Sequence, residues 1–203
     1  MQFEKRKFIV IEGLDGSGKS TVTKLLAERF DAQGLPCHAT SEPTHSPIGK
    51  LIHSILCNDV KNIENESIAL LFAADRYQHL ISEILPTLAH SNVICDRYYY
   101  STMAYQGLCA DSLERVISYH QAVIPAVRPD IVFFVDVSPS ECIRRVTQRG
   151  KIASIYDALS ALELRYERYM AAFERMKKTD NIVFVGSDTA SPEDIVKQMW
   201  KHI

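Results

Sequence analysis

The chain has 203 residues, 46% hydrophobic and 24% charged, which is ample for a buried sheet in one α/β domain spanning 1–203 and shows no compositional sign of disorder. Its formal charge of −2, without any cluster of Lys and Arg, supplies no long-range pull on polyanions and argues against a nucleic-acid partner. Cys37, Cys57, Cys95, Cys109 and Cys142 form no C-x-x-C pair, no signal peptide precedes the first apolar run, and no run approaches the ~18 apolar residues of a membrane span, so free thiols in a reducing cytoplasm are expected.

The first apolar run, residues 8–11, breaks into a glycine-rich turn and restarts with a helical period at Val22, Leu25, Leu26, Arg29 and Phe30. Between them lies Gly13-Leu14-Asp15-Gly16-Ser17-Gly18-Lys19-Ser20-Thr21, which satisfies G-x-x-x-x-G-K-S in the strand–turn–helix context that a phosphate-binding loop requires. Glycines let successive backbone N–H groups point into one concavity, and the helix adds its positive end. Lys19 then reaches the β- and γ-phosphates, and the Ser20 hydroxyl offers a ligand to Mg²⁺.

After Gly34, residues 36–40 predict a second short strand, and the proline-broken segment 41–47 predicts a loop before a helix over 48–57. Ile68, Leu71, Phe72, Ile81, Ile84, Leu85 and Leu88 recur at helical spacing from 65 to about 90, with a kink expected at Pro86. A buried strand over 92–95 delivers Asp96 and Arg97 at its carboxyl end. Asp111-Ser112-Leu113-Glu114 reads as a capping box opening a helix to about 124, and 131–135 as a strand. Ser138-Pro139-Ser140-Glu141 repeats the device for a helix to about Arg149, stopped by Gly150. A connector over 151–156 leads to Asp157 as N-cap of a helix whose stripe Leu159, Leu162, Tyr166, Tyr169, Phe173 and Met176 is core. A strand over 182–185 and a helix capped by Ser191-Pro192 follow. Strands alternating with helices predict a three-layer α/β/α fold on a parallel five-stranded sheet.

Three clusters extend the phosphate loop. Asp96 can hold Mg²⁺-bound water, and Arg97 beside it can grip a phosphate bidentately. Phe72 and Arg76, four apart, offer an aromatic plate and a guanidinium from one helix face, fit to stack a base and bond to its edge. Tyr98, Tyr99, Tyr100, Ser101, Tyr105 and Gln106 bring stacking and hydrogen-bonding groups to the turn after Arg97, Tyr105 being the leading substrate contact. No histidines pair at zinc-ligand spacing.

With these motifs assembled, the chain closely resembles bacterial thymidylate kinases. The resemblance runs through Phe8-Ile-Val-Ile-Glu-Gly-Leu-Asp-Gly-Ser-Gly-Lys-Ser-Thr21, Leu70-Leu-Phe-Ala-Ala-Asp-Arg76, Asp96-Arg-Tyr-x-x-Ser-x-x-Ala-Tyr-Gln-Gly107 and Arg128-Pro-Asp130 before a strand ending at Asp136, and covers essentially the whole chain. It implies a homodimeric P-loop kinase that moves the γ-phosphoryl of ATP, with Mg²⁺, to dTMP, giving dTDP for dTTP biosynthesis. By the same resemblance Phe72 stacks on thymine, Arg76 meets the base edge, Arg97 binds the acceptor phosphate, Tyr105 crowds the 2′ position and Asp15 holds the 3′-hydroxyl side. Two departures stand out. Many bacterial members have an arginine where this chain has Ser41, a ligand of the acceptor phosphate, and a lid arginine where it has Ser154. The basic residues left in the lid, around 149–156, are Arg149 and Lys151, expected to work with Lys19, Asp15 and Arg97 on the transferred group.

A deoxynucleoside kinase of similar fold is the alternative, and would need a base to activate a hydroxyl acceptor. A GTP-dependent switch is the reading from another class, but no Asn-Lys pair occurs to read guanine.

Overall fold

Three short runs too hydrophobic to leave either face in water form the middle of a five-stranded parallel sheet, and two more exposed strands form its edges. In this computed structural model, which describes residues 6–121, 127–148 and 155–203, they are β1 (Phe8–Glu12), β2 (Cys37–Ser41), β3 (Asn92–Asp96), β4 (Ile131–Val135) and β5 (Ile182–Val185), in the order β2-β3-β1-β4-β5. Every residue of β1, β3 and β4 is buried, whereas the edge strands β2 and β5 retain exposed positions. The register sets Ile11 opposite Asp96 on one side and Phe133 on the other. β3 runs to Asp96, one residue beyond the expected end, and β2 is displaced by one residue to Cys37–Ser41: the Pro36 carbonyl accepts from the Asn92 N–H at one end of the pairing, and the Asp96 carbonyl accepts from the Glu42 N–H at the other.

Alternation along β4 shows how the layers are built. Phe134 meets Tyr169 and Phe173 of α8 (Ile155–Met176) with ring centroids 5.2 and 5.0 Å apart, while Phe133 points the other way, toward His202 beyond α9 (Pro192–Trp200). On that second face α1 (Lys19–Ala32) packs against α9, with Phe30 edge-on to Trp200. The expected α8 stripe is core: Leu162, Tyr169, Phe173 and Met176 are buried and Leu159 and Tyr166 pack partly buried beside them.

The long helix expected from 65 to 90 is divided. α3 (Asn65–His79) passes into a π-helical turn (Leu80–Ile84) and then α4 (Leu85–Leu88). Pro86 has no N–H to give the Ser82 carbonyl and its ring crowds it, so the ladder widens ahead of the proline instead of kinking at it. Its buried face also differs from the expectation. It carries Ala69, Ala73, Arg76, Leu80 and Ile84, while Ile81 and Leu85 lie exposed. The apolar period was the wrong guide because a polar network centred on Asp75, Arg76 and His79 occupies the inner face.

The cap agrees with the sequence at α9, where Ser191 Oγ accepts from Asp194 N–H at 3.1 Å, while α2 (Pro47–Leu56) has one inside the segment expected only as a loop, Ser46 Oγ accepting from Gly49 N–H at 3.0 Å. Caps differ at α6 (Ala110–Gln121), which starts at Ala110 ahead of the expected box, with Ser112 Oγ accepting from Cys109 N–H at 2.8 Å. At α7 (Pro139–Gln148) Ser138 Oγ accepts from Glu141 N–H. Glu141 does not reach back, since Asp188 takes the Ser138 N–H and Glu141 pairs with Arg144 and Arg145. α8 begins at Ile155, ahead of the expected N-cap Asp157, so Ile155 and Tyr156 are helical where a connector was expected. Residues 149–154 of the expected lid and residues 122–124 lie outside the described residues.

Loops at the carboxyl ends of the strands carry Gly13, Glu42, Arg97, Asp136 and Gly186, and the site lies there, where β1 is flanked by strands that follow it in sequence on either side. Phe134→Ala should destabilise the protein by about 3–5 kcal/mol, because it removes the ring on which α8 is seated. Urea unfolding measures this; a loss below about 1 kcal/mol would mean that the α8 layer does not depend on it.

Candidate active site

The loop from Gly13 to Thr21 needs backbone that only glycine adopts freely. Gly13, Gly16 and Gly18 have φ of +154°, +91° and +96°, and a Cβ on Gly16 would come 2.5 Å from the Cys142 carbonyl of α7, so the loop is seated on that helix. Leu14 faces the core and contributes only backbone: its carbonyl accepts from Ser17 N–H at 3.2 Å and from Lys19 Nζ at 2.7 Å. Lys19 is buried. Burial and the nearby Arg97 pull its pKa down to about 8, against the pull of Asp15, Asp96 and Glu12. The loop, with Asp15, Gly16, Gly18, Lys19, Ser20, Thr21, Asp96 and Arg97, walls a cavity of ≈ 300 Å³.

Asp96 and Arg97 stand at the end of β3. Ser20 Oγ donates to Asp96 Oδ2 at 2.7 Å, and Asp96 Oδ1 is buried without a partner among the described residues. Arg97 has φ of +73°, rare for a side-chain-bearing residue, and its N–H is held by the Ile11 carbonyl at 2.9 Å. Its guanidinium donates to Ser101 Oγ at 3.0 Å and to Asp15 Oδ1. Burial alone would raise the Asp15 pKa, but Arg97, Lys19, Tyr105 and Arg165 together hold it below the usual carboxylate value.

Beneath these groups sits Glu12, fully buried, a residue the motif contains but the sequence gives no role. Its Oε1 accepts from Tyr98 and Ser101 N–H at 2.8 and 3.1 Å, and its Oε2 from Ser101 Oγ and Tyr169 Oη at 2.7 and 3.0 Å. The carboxylate of β1 therefore caps α5 (Tyr99–Gln106), whose own N-cap residue has no side-chain bond to offer. Burial raises the Glu12 pKa against these donors.

A second cavity of ≈ 340 Å³ gathers Phe72, Arg76, Arg97, Ser101, Tyr105 and Gln106, every substrate-side residue expected from the sequence, together with Asp15. Ser101 is committed to Glu12 and Arg97, while Tyr105 Oη donates to Asp15 Oδ2 at 2.6 Å. Gln106 Oε1 is buried without a partner among the described residues. Arg76 is 1% exposed and largely committed: 2.6 Å from Glu42 Oε2, bonded to Thr102 Oγ1 and His120 Nδ1, and stacked over Tyr98 at 5.0 Å, with only Nε unpartnered.

Several site residues had no signal in the sequence. Arg165 stands beside the α8 stripe, and assigning that stripe to the core passed over it; it lines the second cavity and lies over the Tyr105 ring at 4.7 Å. Arg145 of α7 bridges the Ser17 and Asp188 carbonyls at 3.5 and 3.0 Å, beside an open cleft lined by Asp136, Ser138, Tyr166 and 186–189. Glu42, the partner of Arg76, sits in the segment expected only as a loop. Ser41 does not line the Arg97 cavity but a neighbouring polar one with Thr40, His45, His79 and Glu83. Arg149, Lys151 and Ser154 lie outside the described residues.

The family model described as Thymidylate kinase matches residues 11–199. The chain is also 44% identical over 203 residues to a "Probable thymidylate kinase" of Pyrococcus horikoshii and 40% over 201 residues to one of Pyrococcus abyssi, with 96% of each chain covered in both cases. A third, of Methanococcus aeolicus, is 38% identical over 199 residues, covering 97% of this chain and 95% of its own. The chain belongs to the thymidylate kinase family.

For a thymidylate kinase family member, the arrangement separates two kinds of cation. Arg76 is a wall element, and Glu42, His79 and Cys95 behind it, whose ligand atoms lie within 4.8 Å of one another, are no metal centre, because the guanidinium already occupies Glu42. Asp96 Oδ1 and Ser20 Oγ, by contrast, form an oxygen donor pair beside the phosphate loop, with one oxygen unused, and suit a hard divalent ion.

The Arg76 wall sets a pH dependence. Burial, then the Arg76 charge, pushes the His120 pKa well below its ordinary 6.5. The folded protein therefore binds fewer protons there than the unfolded chain, and His120 costs stability progressively as pH falls below about 6.5. His120→Gln should reduce the stability lost between pH 7.5 and 5.5 by roughly 1 kcal/mol. Parallel pH profiles for parent and variant in urea unfolding would contradict the assignment.

Proposed function

We infer that this thymidylate kinase transfers the γ-phosphoryl of ATP to the phosphate of dTMP, giving dTDP and ADP in the supply of dTTP. The observation that carries this reading is that the two cavities share a wall: Asp15 and Arg97 line both the phosphate-loop cavity and the one bearing Phe72, Tyr105 and Gln106. A phosphoryl donor on one side and an acceptor on the other meet at that wall, and transfer of this kind rests on positioning and charge more than on covalent help.

In this proposal the backbone N–H groups of 13–21 and Lys19 hold the β- and γ-phosphates, Lys19 exchanging its bond to the Leu14 carbonyl for phosphate oxygen. Phe72 stacks on the base, Gln106 Oε1 accepts from the ring N–H, Arg76 Nε faces its edge, and Tyr105 with Asp15 borders the sugar. Arg97 grips the acceptor phosphate. Ser20 and Asp96 would hold Mg²⁺, which supplies charge neutralisation to the β- and γ-phosphates when bound. The cleft beside Arg145 and Asp188 takes the base of ATP. Arg149 and Lys151 remain proposed, on the family resemblance, as further cations for the transferred group.

A nucleoside acceptor would need a free general base. Both carboxylates in the acceptor cavity, Asp15 and Glu42, are instead paired with arginines, which disfavours the deoxynucleoside kinase reading. ADP release should therefore follow dTMP within a panel of nucleoside monophosphates and not thymidine. Lys19→Ala should abolish turnover by at least about a hundredfold with the fold intact, while Arg97→Ala should weaken dTMP far more than ATP. Equal weakening of both nucleotides would remove Arg97 from the acceptor side.

We further propose one kinase domain over 1–203, supported by a continuous core through all three layers, acting as a homodimer in the cytoplasm. Among the described residues no helix is long and apolar enough to cross a membrane, and all five cysteines are free, which fits a reducing compartment. Support for the dimer comes from the outer face of α3–α4, where Leu70, Tyr77, Ile81 and Leu85 lie exposed at helical spacing. Tyr77→Glu combined with Ile81→Glu should halve the mass seen in sedimentation; an unchanged mass would place any dimer contact elsewhere.

A further inference from the structure

We propose that Arg165 is a second guanidinium of the acceptor-phosphate site, working opposite Arg97; this rests on the reading of the second cavity as the dTMP site. Leu162 and Tyr169 of α8 are buried against the sheet and α5, which fixes the face of the helix and sets Arg165, between them, beside Tyr105. Its guanidinium carbon lies 4.7 Å from the Tyr105 ring centroid, and that of Arg97 lies 5.4 Å from the same ring. The two arginines also share one counterion. Asp15 gives Oδ1 to Arg97, while its Oδ2 accepts from Tyr105 and stands 3.9 Å from Arg165 Nη1.

Charge and hydrogen bonding both leave this cluster open to an anion. Among the residues lining the cavity, two carboxylates, Glu42 and Asp15, face three guanidiniums; Glu42 answers Arg76, Asp15 with Glu12 beneath it answers Arg97, and Arg165 is left with only the longer contact to Asp15. Among the described residues Arg165 makes no hydrogen bond, and 3.9 Å to Asp15 is beyond bonding distance, so its fork of N–H donors is unused. Its side chain is 35% exposed, against 20% for Arg97 and 1% for Arg76, so it can turn toward a ligand without breaking a buried contact. A phosphate monoester dianion presents three oxygens and needs more than one guanidinium to neutralise it. Arg76 cannot be the second, since it is held by Glu42. A merely solvated surface arginine would have no reason to lie on the tyrosine that also carries Arg97.

Equilibrium titrations of dTMP, thymidine and ATP test the assignment, with calorimetry on the parent, Arg165→Ala, Arg165→Lys and Arg165→Met, the last keeping apolar contact with Tyr105 if the alanine variant folds poorly. Arg165→Ala and Arg165→Met should raise the Kd for dTMP by about tenfold or more, leave thymidine and ATP within about twofold, and Arg165→Lys should recover part of the loss. If thymidine weakens as much as dTMP, Arg165 acts through the Tyr105 wall and not on phosphate, and the proposal fails. It fails equally if dTMP binding does not change. A parent that does not prefer dTMP to thymidine overturns the reading of the cavity itself, and Arg165 with it; a parent that does, with the same preference in the variants, overturns Arg165 alone.

Discussion

The buried carboxylate of Glu12 is the constraint on which the site depends. It closes β1, accepts four hydrogen bonds and so fixes Tyr98, Ser101 and Tyr169 at once, which joins the start of α5 and the middle of α8 to the root of the phosphate loop. Isolated, a buried carboxylate is costly, and burial indeed raises its pKa; its donors are what make it tolerable. The same bonds enforce the backbone at Arg97. Asp96 is locked in register opposite Ile11, Tyr98 is held by Glu12, and the residue between must turn through φ +73°, a conformation costing of order 1–3 kcal/mol for a non-glycine residue. The strain aims the guanidinium across the loop at Asp15 instead of along the strand.

From that geometry follows the shared wall of Asp15 and Arg97. Neither residue could serve two cavities from a regular strand or helix; each sits in a turn imposed by its neighbours, Asp15 between glycines of positive φ or close packing, Arg97 between two anchored residues. Lys19 shows the complementary state. Buried and parked on a backbone carbonyl, it has its pKa drawn down to about 8 by lost hydration and then by Arg97, in spite of three nearby carboxylates, and a polyphosphate would replace that lost hydration with charged oxygens.

The sequence made the parallel five-stranded order of elements legible, because strands buried on both faces read as short apolar runs and glycines with a lysine at fixed offsets have one common meaning. Phe72, Arg76, Arg97, Tyr105 and Gln106 were all marked, and the fold brings them to one cavity. What was hidden is long-range. Glu42 finds Arg76 at a separation of 34 positions in the chain that no local pattern encodes, and the α3 period misled because Asp75, Arg76 and His79 occupy an inner face that apolar spacing cannot announce. Arg165 was hidden for the opposite reason: the aromatic stripe beside it has so plain a packing role that a flanking arginine carries no sequence signal. The π-helical turn before Pro86 likewise depends on how the helix relieves one lost hydrogen bond, a choice made by packing.

Burial also divides the arginines by task. The Arg76–Glu42 pair, both side chains at most 2% exposed, is weak evidence for stability, since removing two charges from water offsets much of their attraction. Its value is geometric. Tied to Glu42, Thr102 and His120 and stacked on Tyr98, Arg76 cannot follow a charge, so it can shape only a rigid part of the ligand. His79 extends the restraint, because it bonds the other oxygen of Glu42 at 3.1 Å and Thr40 of β2 at 2.9 Å. Under the proposed reading, a phosphate that shifts during transfer would have to be met by side chains with room to move, and in this cavity those would be the partly exposed arginines gathered on Tyr105.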